Sequence, residues 1–291
     1  MGERWPVIDT HFHIGVNGIT TFIAEEEMIP WMDEAGTDIQ VVFQLNEGFM
    51  HRTPDWNPYI GNDYVGKIQR MFPDHTIGLG TVNPYQQAPK TYCWPNKREG
   101  QPWDRLPRRN EALEEVERII LDLDLWGLKM HPFLHGYPIN FGPLIFPMMD
   151  LLVQLQKKVN RQLMLGIHAG GDHIFNSPEA VGDLAGRYPD LLVIMYHAGF
   201  LWGGFTVDEQ CGARPNVLLD LTTCPQKSGV IGTYKKFGAS KFSVGTDGPF
   251  VGLHMRTSIV EDLTSDPEEQ ALILGGNLAQ RLGLPKMRSD G

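Results

Sequence analysis

Val7-Ile8-Asp9-Thr10-His11-Phe12-His13-Ile14 is a short, mainly apolar run that carries two histidines separated by one residue. Read as a strand, it puts both imidazoles on one face, because side chains alternate across a strand. Runs of the same character recur at Ile39 to Leu45, Thr76 to Val82, Gly127 to His131, Gln162 to His168, Leu191 to His197, Val217 to Thr222 and Phe242 to Thr246. Each is short and mostly apolar, as strands covered on both faces must be. Amphipathic stretches lie between them. After Asn110, Leu113, Val116, Ile120 and Leu123 recur at helical steps, with Glu111, Glu114, Glu115 and Glu117 between them, the pattern of a half-buried outer helix. Ser177-Pro178 reads as a cap followed by a proline at the first helical position, and Asp266-Pro267-Glu268-Glu269 as a helix start with the glutamate of a capping box.

Eight strand and helix units, with no composition break to serve as a linker, predict an α/β chain: a single (β/α)8 barrel domain over residues 1–291, in preference to two doubly wound halves. Two connections exceed the usual few residues, Asn46 to Asn62 after the second strand and Asn83 to Arg109 after the third. The latter, rich in Pro, Trp, Arg and Lys, reads as a lid over the site or as an ordered surface excursion.

Composition narrows the partners. With 35 acidic and 25 basic residues the formal charge is −10, which argues against a nucleic-acid or anionic-membrane surface. No segment has the roughly 18 uninterrupted apolar residues of a membrane span, and the amino-terminal residues lack a signal-type apolar core; a cytoplasmic protein is expected. Cys93, Cys211 and Cys224 are far apart and outside any C-x-x-C spacing, so neither a disulfide framework nor a cysteine-rich zinc site is indicated.

Alone, the His11 and His13 pair reads more readily as two buried, hydrogen-bonded histidines than as metal ligands. Position changes the balance. His168 closes the fifth strand in Leu165-Gly166-Ile167-His168-Ala169-Gly170-Gly171, His197 the sixth in Met195-Tyr196-His197-Ala198-Gly199, and Asp247 follows the eighth in Gly245-Thr246-Asp247-Gly248. In such a barrel the carboxyl ends of the strands form the active-site face, so five metal-type side chains meet there.

The order and setting of these residues resemble the amidohydrolase superfamily, in its amidohydrolase-related branch of aminocarboxymuconate-semialdehyde decarboxylase, γ-resorcylate decarboxylase and several lactonases. The resemblance runs nearly end to end. It rests on Asp9-Thr10-His11-Phe12-His13, Gly127-Leu128-Lys129-Met130-His131-Pro132, the His168 and His197 strand ends, Gly245-Thr246-Asp247 and the closing Ile273-Leu274-Gly275-Gly276-Asn277-Leu278-Ala279. It implies that His11, His13, His168 and Asp247 ligate one divalent ion, zinc first with manganese or iron as alternatives, and that His197 sits beside the water completing the shell. A bound ion lowers that water's pKa from 15.7 towards about 7. Asp247 and His197 are then the catalytic pair, Asp247 moving the water's proton and His197 polarising substrate or shuttling a proton.

Lys129 stands where binuclear members of the superfamily carry a carboxylated lysine. It is read here, with His131, as substrate-binding, since a plain ammonium suits a carboxylate; the alternative for His131 is a structural hydrogen-bond donor. Arg108 and Arg109 could clamp a carboxylate but read more readily as solvated, and Trp94, Trp103 and Trp202 as site walls or as packing under loops. His51, His75, His135, His173 and His254 have no convergent partners in the sequence. The reading is a metal-dependent hydrolase of a small carboxylate-bearing lactone, ester or amide; the alternative is a non-oxidative carboxy-lyase of an unsaturated or aromatic acid. A barrel that binds without catalysis is the third reading, disfavoured because all five positions hold competent residues. The expected partner is a small-molecule substrate, and the resemblance implies a homodimer.

Overall fold

The structure is a computed structural model that describes residues 2–16, 20–45, 58–84, 111–169, 174–198, 208–224, 230–252 and 255–288. The strands follow in chain order: β1 (Ile8–Val16), β2 (Ile39–Gln44), β3 (Thr76–Gly78, continued by Gly80–Thr81), β4 (Gly127–Met130), β5 (Met164–His168), β6 (Leu192–Tyr196), β7 (Val217–Asp220) and β8 (Phe242–Ser243). These lie close to the expected bounds except β8, which ends at Ser243 rather than Thr246. A short hairpin strand, Thr21–Phe22, folds antiparallel onto the end of β1.

Parallel pairing runs from β1 through β2 to the first segment of β3, and from the second segment of β3 through β4, β5, β6 and β7 to β8. Hydrogen bonds bridge the two sheets. Leu79 N donates to Val42 O at 2.9 Å, and the segment after β8 meets β1 through Asp247 N to His11 O (2.9 Å) and His13 N to Gly248 O (2.7 Å). The strands are thus covered on both faces, as their near-continuous apolar character requires.

The apolar residues form two clusters. Ile8, Val41, Leu79, Met164, Ile194 and Leu218 belong to one, composed mostly of strand residues and closed off by Leu278 and Leu282. The other sandwiches the alternate strand residues, among them Phe12, Val42, Leu165 and Val193, against the helices. The expected helix after Asn110 is α3 (Glu111–Leu121), following α1 (Ala24–Ala35) and α2 (Pro58–Met71). Its Val116 and Ile120 are buried, with Leu123 just beyond its end. Next come α4 (Gly142–Val159) and α5 (Pro178–Arg187). Ser177 caps α5 by accepting from Ala180 N at 3.4 Å.

Asp266 caps the short helix Pro267–Ala271, accepting from Glu268 N at 2.9 Å. The capping box does not form: Asp266 N donates to Thr264 Oγ1 at 3.1 Å, and Glu269 accepts instead from Thr264 Oγ1 at 2.6 Å and from the Tyr234 hydroxyl. A tertiary acceptor role has overridden the local one.

The register of β1 decides where its histidines go. Asp9 faces Gln40 and Phe12 faces Val42, so three steps along β1 oppose two along β2, the signature of a bulge. Ile8 lies in the inner cluster and Phe12 in the outer one. Unbroken alternation from Ile8 would put Phe12 on the inner face and His11 and His13 on the outer. The extra residue reverses that parity. Gly245 makes room for it: a Cβ there would fall 2.5 Å from His11 N and 2.6 Å from His11 Cβ.

Cys211 and Cys224 are buried free thiols, and no described helix is long and apolar enough to cross a membrane. Most of both long connections, with Cys93, Trp94, Trp103, Arg108, Arg109, Trp202, His51, His173 and His254, lies outside the described residues.

Candidate metal centre

The carboxyl end of β1 delivers two imidazoles to one point. His11 Nε2 and His13 Nε2 are 3.2 Å apart, and Asp247 Oδ1 lies 3.1 Å from the first and 3.3 Å from the second. Two ligands at 2.0–2.2 Å from a common ion in tetrahedral array are separated by roughly 3.3–3.6 Å, so the three donor atoms lie close to the short end of the edge lengths of one coordination polyhedron. His197 completes the cluster. Ligand atoms of His11, His197 and Asp247 lie within 4.8 Å of one another.

His168 stands on the far side of His197, ring centroids 4.7 Å apart, and stacks on His131 at 3.8 Å with 17° between the planes. The structure thus brings His11, His13, His197 and Asp247 together, with His168 and His131 forming a second row beside them.

Backbone geometry aims two of these groups. His197 and Asp247 both have φ of 60° and Thr223 has φ of 52°, left-handed values that cost a non-glycine residue roughly 1–2 kcal/mol. Tyr196 belongs to the inner cluster, so simple alternation would turn His197 outward; the left-handed turn re-aims it. Such strain concentrates at functional sites. It falls here at the carboxyl ends of three consecutive strands.

Hydrogen bonds set the tautomers. His197 Nδ1 donates to Thr222 O at 3.0 Å, with Thr223 Oγ1 also 2.9 Å away, which leaves Nε2 as a bare lone pair. His13 Nδ1 makes a longer approach, 3.5 Å, to Gln44 O. A ring nitrogen engaged by a carbonyl is the usual companion of metal ligation through the other nitrogen. Burial first, then His168, holds the His197 pKa down to about 3, with Asp247 opposing. Burial likewise pushes His11 well below its ordinary value, against the pull of Asp247. Burial alone would raise the Asp247 carboxyl, but the adjoining His11 and His13 hold it well below the usual carboxylate range. The depressed imidazoles of His11 and His197 beside an ionised Asp247 carboxylate are donors of the kind a divalent ion requires.

A second carboxylate lies deeper. Asp220, fully buried at the end of β7, accepts from Thr222 N and Ser243 Oγ, both at 3.0 Å, and from the Thr10 hydroxyl. These donors do not offset burial, which raises its pKa to about 6. Asp9 is likewise occupied, accepting from Thr246 N (2.9 Å) and Thr246 Oγ1 (2.7 Å). It ties β1 to the segment that carries Asp247.

Lys129 is fully buried, its Nζ 4.5 Å from the Phe43 ring centroid and 5.4 Å from that of Tyr196. The same two rings meet His11 edge-on at 5.0 Å and 4.3 Å, so an aromatic layer links ammonium and imidazole. His131 directly follows β4 and caps the short helix Pro132–His135. Burial, then His168 and Lys129, lowers its pKa well below the ordinary value. His75 is exposed, its Nδ1 bonded to Asp38 O, and His135 is buried beside Tyr137. Sequence reasoning passed over Thr222 and Thr223, whose only signal was their place after a strand end, and Phe43 and Tyr196, which read as ordinary strand residues.

No protein-family model and no curated protein matches the chain. Solved structures do. The 5-carboxyvanillate decarboxylase of Novosphingobium aromaticivorans, solved with bound manganese and 3-methoxy-4-hydroxy-5-nitrobenzoic acid, superposes with a TM-score of 0.69 at 13% identity, covering 96% of this chain and 97% of that one. A 2,6-dihydroxybenzoate decarboxylase complexed with 2,6-dihydroxybenzoate gives 0.68 at 12% identity, covering 96% and 100%. A TIM-barrel protein of Bordetella bronchiseptica gives 0.66 at 19%, covering 95% and 98%. The parallel α/β fold that the resemblance to the amidohydrolase superfamily implied is therefore the fold found, and this chain shares it with TIM-barrel proteins that include decarboxylases of aromatic acids.

Proposed function

We propose that this chain is a single closed (β/α)8 barrel domain that binds one divalent metal ion and removes carbon dioxide, without redox chemistry, from an aromatic or unsaturated carboxylic acid. The observation that carries the metal site is the triangle of His11 Nε2, His13 Nε2 and Asp247 Oδ1, with edges of 3.1 to 3.3 Å. His11, His13 and Asp247 would hold the ion, with His168 as the further ligand. When bound, the ion supplies positive charge that fixes and polarises substrate oxygens.

In the reaction the carbon–carboxyl bond breaks, its electron pair stays on the carbon, and a proton is added there. His197 suits that transfer because its Nδ1 is held by Thr222 O, leaving Nε2 to accept a proton and pass it on. Asp247, ionised throughout, holds His11 and His13 and is the second group able to take part. Lys129 contributes its charge from beneath Phe43 and Tyr196 rather than by contact with substrate.

The hydrolytic reading uses the same side chains, with Asp247 as base on a water. Decarboxylases among the structural relatives support taking the carboxy-lyase first, and the manganese in one of them is the reason to test manganese beside zinc. Elemental analysis of chelator-free protein is expected to find about one ion per chain. A panel of hydroxybenzoates and unsaturated acids should then release carbon dioxide, while lactones, esters and amides stay intact. Hydrolysis of the second panel alone would reverse the order of the two readings, and no ion after incubation with zinc or manganese would remove both.

A further inference from the structure

The imidazoles at the mouth do not all present the same chemical face. His197 directs Nδ1–H to a carbonyl and so has a bare Nε2. His131 is wired the other way: Leu134 N donates to its Nδ1 at 3.3 Å. A nitrogen that accepts from an amide N–H carries no proton, so the ring is neutral and its single proton is on Nε2. That N–H has no hydrogen-bond partner among the described residues, and it is not among the fully enclosed polar atoms. The ring lies face to face with His168 and comes from the inner face of β4, two residues after Lys129.

Its wiring excludes His131 from the metal. With Nδ1 occupied as an acceptor and Nε2 protonated, no lone pair remains for an ion. Lys129, the other candidate on this strand, is sealed under aromatic rings.

We propose that His131 Nε2–H is the hydrogen-bond donor for an anionic oxygen of the substrate, a carboxylate or phenolate, and that this donor sets the requirement for such an oxygen. Donor and acceptor imidazoles then flank His168, the one gripping an oxygen while the other handles the proton. The inference rests on the reading of the site as one for an acidic substrate.

Two substitutions separate the donor from the cap. His131→Asn keeps a side-chain acceptor for Leu134 N, asparagine being a good cap, but cannot reach with an N–H where Nε2 stood. His131→Gln restores an N–H near that place and sacrifices the cap. Calorimetric titration of metal-loaded protein with 2,6-dihydroxybenzoate and with benzoate is expected to show wild type and His131→Gln binding within about threefold of each other. His131→Asn should bind roughly tenfold more weakly or worse, the effect of losing a hydrogen bond to a charged group, with metal content unchanged. In parallel, nitrogen NMR of histidine-labelled protein, with His131 identified by its loss in the variants, should show a protonated Nε2 and a bare Nδ1.

Equal affinity in all three proteins, or a bare Nε2, overturns the inference and leaves the carboxy-lyase reading standing. Binding that depends on His131 without carbon dioxide release from any acid supports the inference while the carboxy-lyase reading fails. A wild type that binds neither carboxylate overturns both.

Discussion

The two ends of the parallel strands belong to the same elements and behave oppositely. At the amino end Ile8, Val41, Met164, Ile194 and Leu218 pack with Leu278 and Leu282. They are apolar, regular in their alternation and dedicated to burial. A few residues further along, the strands present His11, His13, His168, His197 and Asp247. There alternation is broken by the β1 bulge and by left-handed turns at His197 and Asp247. Regular strand geometry stabilises the lower end, and departures from it create the upper one. The difference implies that substitutions at one end should cost stability and at the other chemistry, with little exchange between them.

The largest effect is expected from Asp247→Asn or from His11→Ala with His13→Ala. Metal content should drop from about one ion per chain to near none for the double variant, and turnover should fall by about 10²–10⁴-fold for the aspartate, while the fold persists by circular dichroism. A double variant that kept its metal would break the contrast at its upper end. Ile194→Ala tests the lower end. It should destabilise by about 2–5 kcal/mol, read by chemical denaturation, with kcat per folded molecule unchanged.

Asp220, buried at the carboxyl end of β7, tests the comparison through pH. Its folded pKa is raised to about 6 from the ordinary 3.8, so the folded state binds the extra proton between those values. The stability contributed by that proton is therefore lost as pH rises from about 4 to 6, and the penalty is complete above it, on the order of 3 kcal/mol at most. Asp220→Asn, which carries no charge, should gain on wild type in denaturant midpoint across that window and hold its lead above pH 6. A difference that stayed flat with pH would show that the carboxylate is not strained by burial. The smallest effect is expected for Thr223→Val, which keeps the β-branch and removes Oγ1. Because Thr222 O still holds His197 Nδ1, turnover should fall only several-fold and the melting temperature should barely move.

Much of this was legible from residues. Short apolar runs located all eight strands, because strands buried on both faces have few ways to be written. The spacing of Leu113, Val116, Ile120 and Leu123 found α3, and histidines at strand ends pointed to the cluster that the fold gathers. Local patterns misled where tertiary partners competed, as when Glu269 left its cap for Thr264 and Tyr234. What could not be read was orientation. Alternation says that His11 and His13 face together, not which way, since that depends on one extra residue against β2. Nothing in the run from Met195 to Gly199 shows that His197 adopts a left-handed backbone, and nothing in Gly127 to Pro132 shows that His131 would become a helix cap with its proton on the outer nitrogen.

The bulge in β1 has a meaning for anyone who would move this site to another parallel α/β scaffold. Copying Asp9 to His13 onto a regular strand would transplant the letters and lose the sense, for the imidazoles would emerge among the helices. The portable unit is larger: the five residues, the spare step against β2, and on β8's side a glycine at 245 with too little bulk to object. For the same reason, removing one residue between Asp9 and Phe12 is a more drastic edit than mutating either histidine, since it exchanges the inside of the strand for the outside in a single stroke.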